Sequence, residues 1–489
     1  MVLLVLVFTR GTFFLRSVWR RASFSLEGIP SWFFYPAIFS SVVIIGCAFL
    51  ASLLPPHLSQ EFDIINYHIT IPRQHLISGS FQYISWSPVD LFLLPVDFAL
   101  SPYWLATNLP NKLPQFFFCL GVLGLAFCLG KRLSGGEHGA GVLSALAIMG
   151  SHNFGIQAGT GMLDIVLCYL FLAAVDSFIA GAWGLAAVEF AFFLWSKPLM
   201  PSFMVLACGI LLLLFFIINK VKLFKIQWGF GSFLGKHESL RNFQFWGVLF
   251  LVSTLIAGPF LLKSYDKSGT PMYPLTRVFF TDRCEKQEFS GMSELEKTSC
   301  AWKAMKNDYG EGQDLIAALR HFWMIAVPEK GVNNRFDYPV GLMFLLFLIP
   351  FLVFLIEAFT KKIFPIIPVF CVIYWALWWW GAQQSRFLFV PLALIFVTTA
   401  AQMKKSSKVL MVCMILALVL TAFSVFRAHK SDFGKSSYDA LRTQDKFLVD
   451  KAKTAKPGEV VELSYPDAAF AAFAVNVKNI DSPFVIKHP

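Results

Sequence analysis

The chain has 489 residues, of which 56% are hydrophobic and only 15% charged, against about a quarter charged in soluble domains. That balance excludes a disordered chain and an ordinary cytosolic enzyme, and at about 20 apolar residues per crossing it supplies ten or more membrane helices. The net charge of +11, from 41 Lys and Arg against 30 Asp and Glu, is placed between apolar runs, where it reports topology and gives no support to a nucleic-acid partner.

The first eight residues, MVLLVLVF, precede the basic cluster Arg10, Arg16, Arg20 and Arg21 instead of following one. No small-residue cleavage site comes after, so they read as an interfacial anchor or an over-long start and not as a signal peptide. Residues 1–32 form a cytoplasmic segment in this reading. Apolar runs then predict eleven spans, at 33–54, 114–130, 138–153, 162–181, 183–196, 200–219, 246–262, 337–357, 363–380, 387–402 and 409–426. Short loops on one side carry the Arg cluster above with Lys131, Arg132, Lys220, Lys222, Lys225, Lys236, Arg241, Lys361, Lys362, Lys404, Lys405 and Lys408. The opposite short loops carry Arg73, Lys112, Lys197 and Arg386. The positive-inside rule places the amino terminus in the cytoplasm and the carboxyl terminus outside. The predicted fold is an all-α polytopic membrane protein spanning 33–426, with outer loops 55–113 and 263–336 and a small α/β tail at 427–489.

The stretch leaving the first span, Pro55 to Arg73, carries the densest chemistry. The double proline ends the span, and Asp63 to Ile71 are predicted as a short helix stopped by Pro72. Asp63 then sits at the positive end of that helix's dipole, Tyr67 shares its face, and Ile64, Ile65 and Ile69 rest on the membrane. A carboxylate held there can orient and deprotonate a hydroxyl; the plainer reading makes Asp63 a helix cap and leaves Glu61 solvated. Asp164, after Gly159-Thr160-Gly161, begins the fourth span on the same side, and Lys197 and Arg386 add positive charge there, where an arginine also snorkels to headgroups. Asp176 and Glu189 lie in or near spans, where a charge is costly enough to need a partner or a role.

The long outer loop opens with Lys263-Ser264-Tyr265-Asp266-Lys267-Ser268-Gly269-Thr270-Pro271-Met272-Tyr273-Pro274-Leu275, a rigid turn close to the membrane. Further on, 313–326 is predicted as an amphipathic interfacial helix. Seven of the nine cysteines fall in spans as small hydrophobes. Cys284 and Cys300 lie in the outer loop, where an oxidising compartment would pair them. No segment outside the membrane is long enough for a nucleotide-binding domain, and neither GxxxxGK[ST] nor a strand-borne GxGxxG occurs.

Four landmarks in order resemble the membrane-embedded, C-type (GT-C) glycosyltransferases, from about residue 33 to 426. EFDIINYH (61–68) resembles their acidic first-loop motif, and GTGMLD (159–164) their second outer acidic position. KSYDKSGTPMYPL (263–275) resembles the arginine-asparagine-tyrosine, glycine-asparagine-proline and tyrosine-proline stretch of bacterial members, and QSRFLFVPLAL (384–394) their arginine-to-proline run before a late span. Lys263-Ser264 replaces the usual Arg-Asn, and Thr270 the usual Asn. Members acting on lipopolysaccharide core or lipid A are the nearest kind implied, with protein O-mannosyltransferases more distant, since Glu61 and Asp63 are not adjacent.

The resemblance implies a polyprenyl-phosphate sugar donor and an envelope acceptor, glycolipid or protein, in the bacterial inner membrane. Asp63, with Glu61, is the expected base; Tyr67 and His68 assist; Asp164 shapes the acceptor pocket; Arg386 and Lys263, with Lys197 and the Tyr273 motif, hold the donor phosphate. Direct displacement inverts the anomeric centre. No cofactor is required, although Glu61, Asp63 and Asp164 could hold a divalent ion through oxygen. The competing readings are an envelope polysaccharide polymerase or ligase with a pyrophosphate-linked donor, and a lipid or solute transporter, for which deep charges in several helices and an internal repeat are expected and are not evident.

Overall fold

The structure, a computed structural model, describes residues 30–54, 56, 61, 63–84, 87–92, 94–106, 112–197, 199–221, 225–227, 238–273, 300, 309–310, 312–327, 336–403, 408–434, 460–462 and 485–487. The basic amino-terminal segment, Cys284 and most of the tail lie outside them. The helices are α1 Ser31–Leu53, α2 Thr70–Ser78, α3 Pro95–Ala106, α4 Leu113–Leu133, α5 His138–Met149, α6 His152–Gln157, α7 Asp164–Ile179, α8 Trp183–Trp195, α9 Leu199–Val221, α10 Glu238–Ser268, α11 Leu315–Ala326, α12 Leu342–Thr360, α13 Ile366–Trp380, α14 Phe389–Gln402 and α15 Lys408–Gly434.

Each of the eleven expected spans is a helix, but they are not equivalent. Among the described residues, seven are long and apolar enough to cross a membrane. The other four, α5, α7, α8 and α13, are 12, 16, 13 and 15 residues long. At about 1.5 Å per residue they fall short of a ~30 Å hydrocarbon layer. Burial accounts for the difference: α7, for example, hides all but Val175, Asp176 and Phe178 of its residues among its neighbours, so its backbone needs no full match to lipid.

The centre of the bundle is α14. From Phe389 to Ala400 every residue is buried, against α4, α5, α7, α12 and α13. Pro391 is tolerated because it stands in the first turn, where its missing N–H has no helical acceptor. The periphery is the reverse: Leu212, Leu213 and Phe216 on α9, Phe250, Leu251 and Leu255 on α10, and Ile349, Val353 and Ile356 on α12 are exposed. So continuous an apolar surface requires lipid, and the chain is a multi-pass membrane protein.

Two short parallel strand pairs complete the description. β1 (Lys225–Gln227), after α9, pairs with β2 (Ile363–Pro365), after α12, in the register Lys225↔Ile363. These belong to two of the basic loops expected on one side, and the pairing puts them there together. β3 (Val460–Glu462) pairs with β4 (Val485–Lys487) in the tail.

Helices α4 and α5 approach closely through small residues. A Cβ at Gly141 would lie 2.7 Å from the Phe127 carbonyl oxygen, and one at Gly130 3.0 Å from that of Ala140. Backbone offers no rotamer escape, so Gly141→Leu is expected to lower stability by about 1–3 kcal/mol, the usual range for overpacking. Thermal unfolding in lipid nanodiscs checks it; an unchanged midpoint would show that the two helices separate freely.

Candidate active site

The polar residues expected on the outer face converge at one end of the bundle, and each is brought there by a different element. After α1 the chain turns back through Asp63 and a π-helical turn, Ile64–His68. Its i→i+5 bond runs from the Ile69 N–H to the Ile64 carbonyl at 3.0 Å, one residue wider than an α-turn, a local insertion common at functional sites. Pro72 does not stop a helix as the sequence suggested. It lies in the first turn of α2, where its missing N–H costs nothing. Ile64, Ile65 and Ile69, expected on the membrane surface, are instead buried in the core, because the turn is overlaid by protein.

Arg386, in a 3-10 turn (Ser385–Leu388) that feeds α14, is the hub. Its Nη1 donates to Asp63 Oδ2 at 2.7 Å, its Nε lies 3.0 Å from Asp337 Oδ2, and its Nη2 donates to Gln384 Oε1 at 3.4 Å. The snorkelling alternative is thereby excluded for this arginine. Asp63 makes no side-chain cap bond to the turn, so its carboxylate serves Arg386 and not the helix end. Burial would raise the Asp63 carboxyl, but the charges of Arg386, Lys197 and His68 outweigh it and hold it at about 2. Asp337 is raised above the ordinary carboxylate range, by burial first and by repulsion from Asp63 and Asp164, with Arg386 opposing. One guanidinium thus stabilises the two acids unequally.

Around this hub stand further pairs. Lys197, after α8, donates to both Asp164 oxygens at 2.9 and 3.1 Å, joining the outer ends of α7 and α8. Lys112, before α4, donates to Glu61 Oε2 at 3.0 Å, while the Gly161 N–H donates to Oε1 at 3.0 Å. Glu61 is 2% exposed, not solvated. His68 Nδ1 lies 3.0 Å from Asp97 Oδ1 on α3. Glu61, Asp63 and Asp164 therefore each face a different cation, and among the described residues no group of three His, Cys, Asp or Glu is arranged to hold a metal.

Lys263, expected beside Arg386, belongs to a second cluster. Its Nζ donates to Asp90 Oδ1 at 2.8 Å, His75 Nε2 meets the same oxygen at 2.6 Å, and the ammonium lies 4.3 Å from the Phe81 ring centre. Asp90 also accepts from the Ile84 N–H at 2.8 Å. Burial, Asp90 and Tyr273 together push the nearby Tyr83 hydroxyl up to about 12. Tyr273 is buried, its N–H donating to Ser264 Oγ at 3.2 Å, while Ser264 Oγ donates to the Thr270 carbonyl at 2.8 Å. Two of the three positions where this motif departs from the pattern it resembles, Ser264 and Thr270, are thus joined through the Thr270 main-chain carbonyl. Tyr67, Phe92 and Tyr273 share one apolar cluster that adjoins the turn bearing Asp63.

Lys112, Asp90, His75, Asp97, Asp337, Gln384 and Tyr309 were not singled out in the sequence. Lys112 had counted only as a loop charge, and Asp337 stands in no motif. Tyr309 joins through a hydrogen bond to Gln384, its hydroxyl raised by burial and by Asp337. The in-span acids are structural: Glu189 accepts from Ser177 Oγ at 2.7 Å, and Asp176 pairs with Arg132 at 3.2 Å. The 313–326 helix is observed as α11, with the Asp314 side chain accepting from the Ala317 N–H at 2.8 Å and Leu315, Ile316, Leu319 and Trp323 exposed. Cys300 is disulfide-bonded, and the seven cysteines of the spans are free.

Comparison with known proteins bears on the architecture. No family model and no curated protein matches the sequence. ArnT from Cupriavidus metallidurans bound to undecaprenyl phosphate matches in structure with a TM-score of 0.53 at 10% identity, over 92% of this chain and 85% of that one. The chain has the ArnT fold. The apo state of ArnT matches with a TM-score of 0.50 at 9% identity, over the same shares of the two chains. At such identity the likeness to ArnT is one of fold.

Because Lys112 and Glu61 are both buried, at 4% and 2% side-chain exposure, removing one partner strands a charge. Lys112→Met should cost about 3–5 kcal/mol of stability, and adding Glu61→Gln should recover part of it. A double-mutant cycle on nanodisc unfolding checks this, and additive losses would show that the pair is not coupled.

Proposed function

We propose that the protein is a membrane glycosyltransferase that takes its sugar from a polyprenyl-phosphate donor and transfers it to an envelope acceptor at the outer face of the bacterial inner membrane. The observation that carries this reading is the Arg386–Asp63 pair at 2.7 Å. A buried guanidinium held by an exchangeable carboxylate at the end of a lipid-embedded bundle suits a phosphate whose chain stays in the membrane. The ArnT fold supports it, since the matched ArnT structure is bound to undecaprenyl phosphate.

The chemistry follows from exchange of anions. The donor phosphate takes Arg386 from Asp63, and the freed carboxylate gains basicity because its strongest stabilising charge is now shared with the phosphate. Asp63 then orients the acceptor hydroxyl and accepts its proton as the acceptor oxygen bonds to the anomeric carbon. The bond from that carbon to the phosphate oxygen breaks, and polyprenyl phosphate leaves with its charge held by Arg386. Displacement from the opposite face inverts the anomeric centre. Lys197 and Asp164 wall the acceptor side, while the Lys263 cluster with Tyr273 lines the way from lipid. Glu61, locked between Lys112 and Gly161, fixes the position of the Asp63 turn and does not move protons.

Asp63→Asn keeps the size of the side chain but removes the base. Transfer from a panel of undecaprenyl-phosphate sugars to extracted envelope glycolipids and proteins, followed by mass spectrometry, should fall by about 10²–10⁴-fold in the variant. Undiminished turnover would remove Asp63 from the chemistry. Transfer from pyrophosphate-linked donors alone would favour a polymerase or ligase instead.

A further inference from the structure

Asp337 occupies an unusual place. Its φ is +68°, a region that few non-glycine residues enter and that Asp and Asn tolerate best. The Tyr338 N–H donates to the Phe336 carbonyl at 3.0 Å across it, closing a γ-turn of the rare positive-φ hand, which is strained. The turn is pinned at both ends by the residue before Arg386: the Ser385 N–H donates to the Phe336 carbonyl at 2.9 Å, and Ser385 Oγ to the Tyr338 carbonyl at 2.5 Å. Asn153 Nδ2 in turn donates to Ser385 Oγ at 3.0 Å. The chain thus holds a strained turn in place, and its apex carboxylate sits 3.0 Å from Arg386 Nε. Strain kept at such a site calls for a role.

Each nitrogen of the guanidinium already faces a group of the protein: Nη1 and Nη2 donate to Asp63 and Gln384, and Nε stands in ionic contact with Asp337. An entering phosphate must compete for them. Asp63 lies on the turn after α1, and the proposed chemistry uses it on the acceptor. Asp337 is fixed by its turn and stays.

We infer that Asp337 is a resident counterion of Arg386, a positioning residue that stands against the phosphate throughout the cycle and so limits how tightly the polyprenyl-phosphate product is held. This rests on the donor reading above. Its function is release: an arginine facing a lipid phosphate in a water-poor site would otherwise retain its product, and product release often sets turnover. With Asp337 in place the phosphate meets a half-neutralised guanidinium, aimed by its Nε contact so that Nη1 is the edge offered.

The test is undecaprenyl phosphate binding and dissociation in nanodiscs by the wild type, Asp337→Asn and Asp337→Gly. Both substitutions suit a positive φ, so one remains usable if the other folds poorly, and neither carries the charge. The expected result is wild-type binding, with affinity about tenfold tighter and release slower in both variants, a typical size for coupling between groups at one site. A gain of affinity is not what loss of a purely structural residue produces. Wild-type binding with unchanged or weakened affinity in the variants would overturn this inference while leaving the donor reading intact. Absence of wild-type binding would overturn the donor reading and this inference with it.

Discussion

A charge buried at the edge of a membrane bundle must have a partner, and this fold is organised at its outer end by that requirement. Arg386 enters on the turn before α14, the most enclosed helix, so it cannot escape to water. It is answered by Asp63 from the segment after α1 and by Asp337 from the turn before α12. Lys197 and Asp164 tie α8 to α7, and Lys112 and Glu61 tie the start of α4 to the Asp63 turn. These pairs are weak as a source of net stability, since desolvation offsets much of their attraction. Their effect is positional: helices otherwise free to slide along apolar faces are registered to one another at that end of the bundle.

Much of this was legible in the residues. Apolar runs are long-range signals, so all eleven were found, and the positions of short-loop bases correctly grouped the β1 and β2 loops on one side. Asp63, Asp164, Lys197 and Arg386 could be picked out because an ionised residue flanking an apolar run is conspicuous. Their pairing could not, because it joins positions more than 300 residues apart in the case of Asp63 and Arg386. Length alone also overstated α5, α7, α8 and α13, whose burial by protein substitutes for lipid contact. The Asp63 segment misled for a tertiary reason. Other parts of the protein overlie the π-turn, so Ile64, Ile65 and Ile69 are buried in the core and do not rest on the membrane. Asp337 left no trace in the sequence, since its importance lies in a backbone angle and in hydrogen bonds from Ser385. Lys263 shows the converse: the motif that made it conspicuous is present, yet Asp90 and His75, fifteen residues apart and in no motif, claim its charge.

The two clusters suggest a division of labour that the apolar bulk makes sense of. The Lys263 group lies beside aromatic rings of Phe81, Phe98 and Phe260, a surface suited to guiding a prenyl chain and its headgroup. In the proposed reaction the Arg386 group receives the phosphate and holds the acids that act on the acceptor. An enzyme supplied from the bilayer, as proposed, would need no nucleotide-binding domain, and the 15% of charged residues is sufficient when a handful of them are paired where the lipid ends.

The central claim is that Arg386 exchanges Asp63 for a lipid phosphate. A cryo-electron microscopy structure of the protein in nanodiscs with undecaprenyl phosphate tests it most directly. The account predicts a phosphate within about 3 Å of the Arg386 guanidinium, the normal range of a charge-assisted hydrogen bond, with Asp63 moved out of hydrogen-bond range and turned toward the acceptor side. A phosphate bound elsewhere, with the Asp63–Arg386 pair intact, would contradict it.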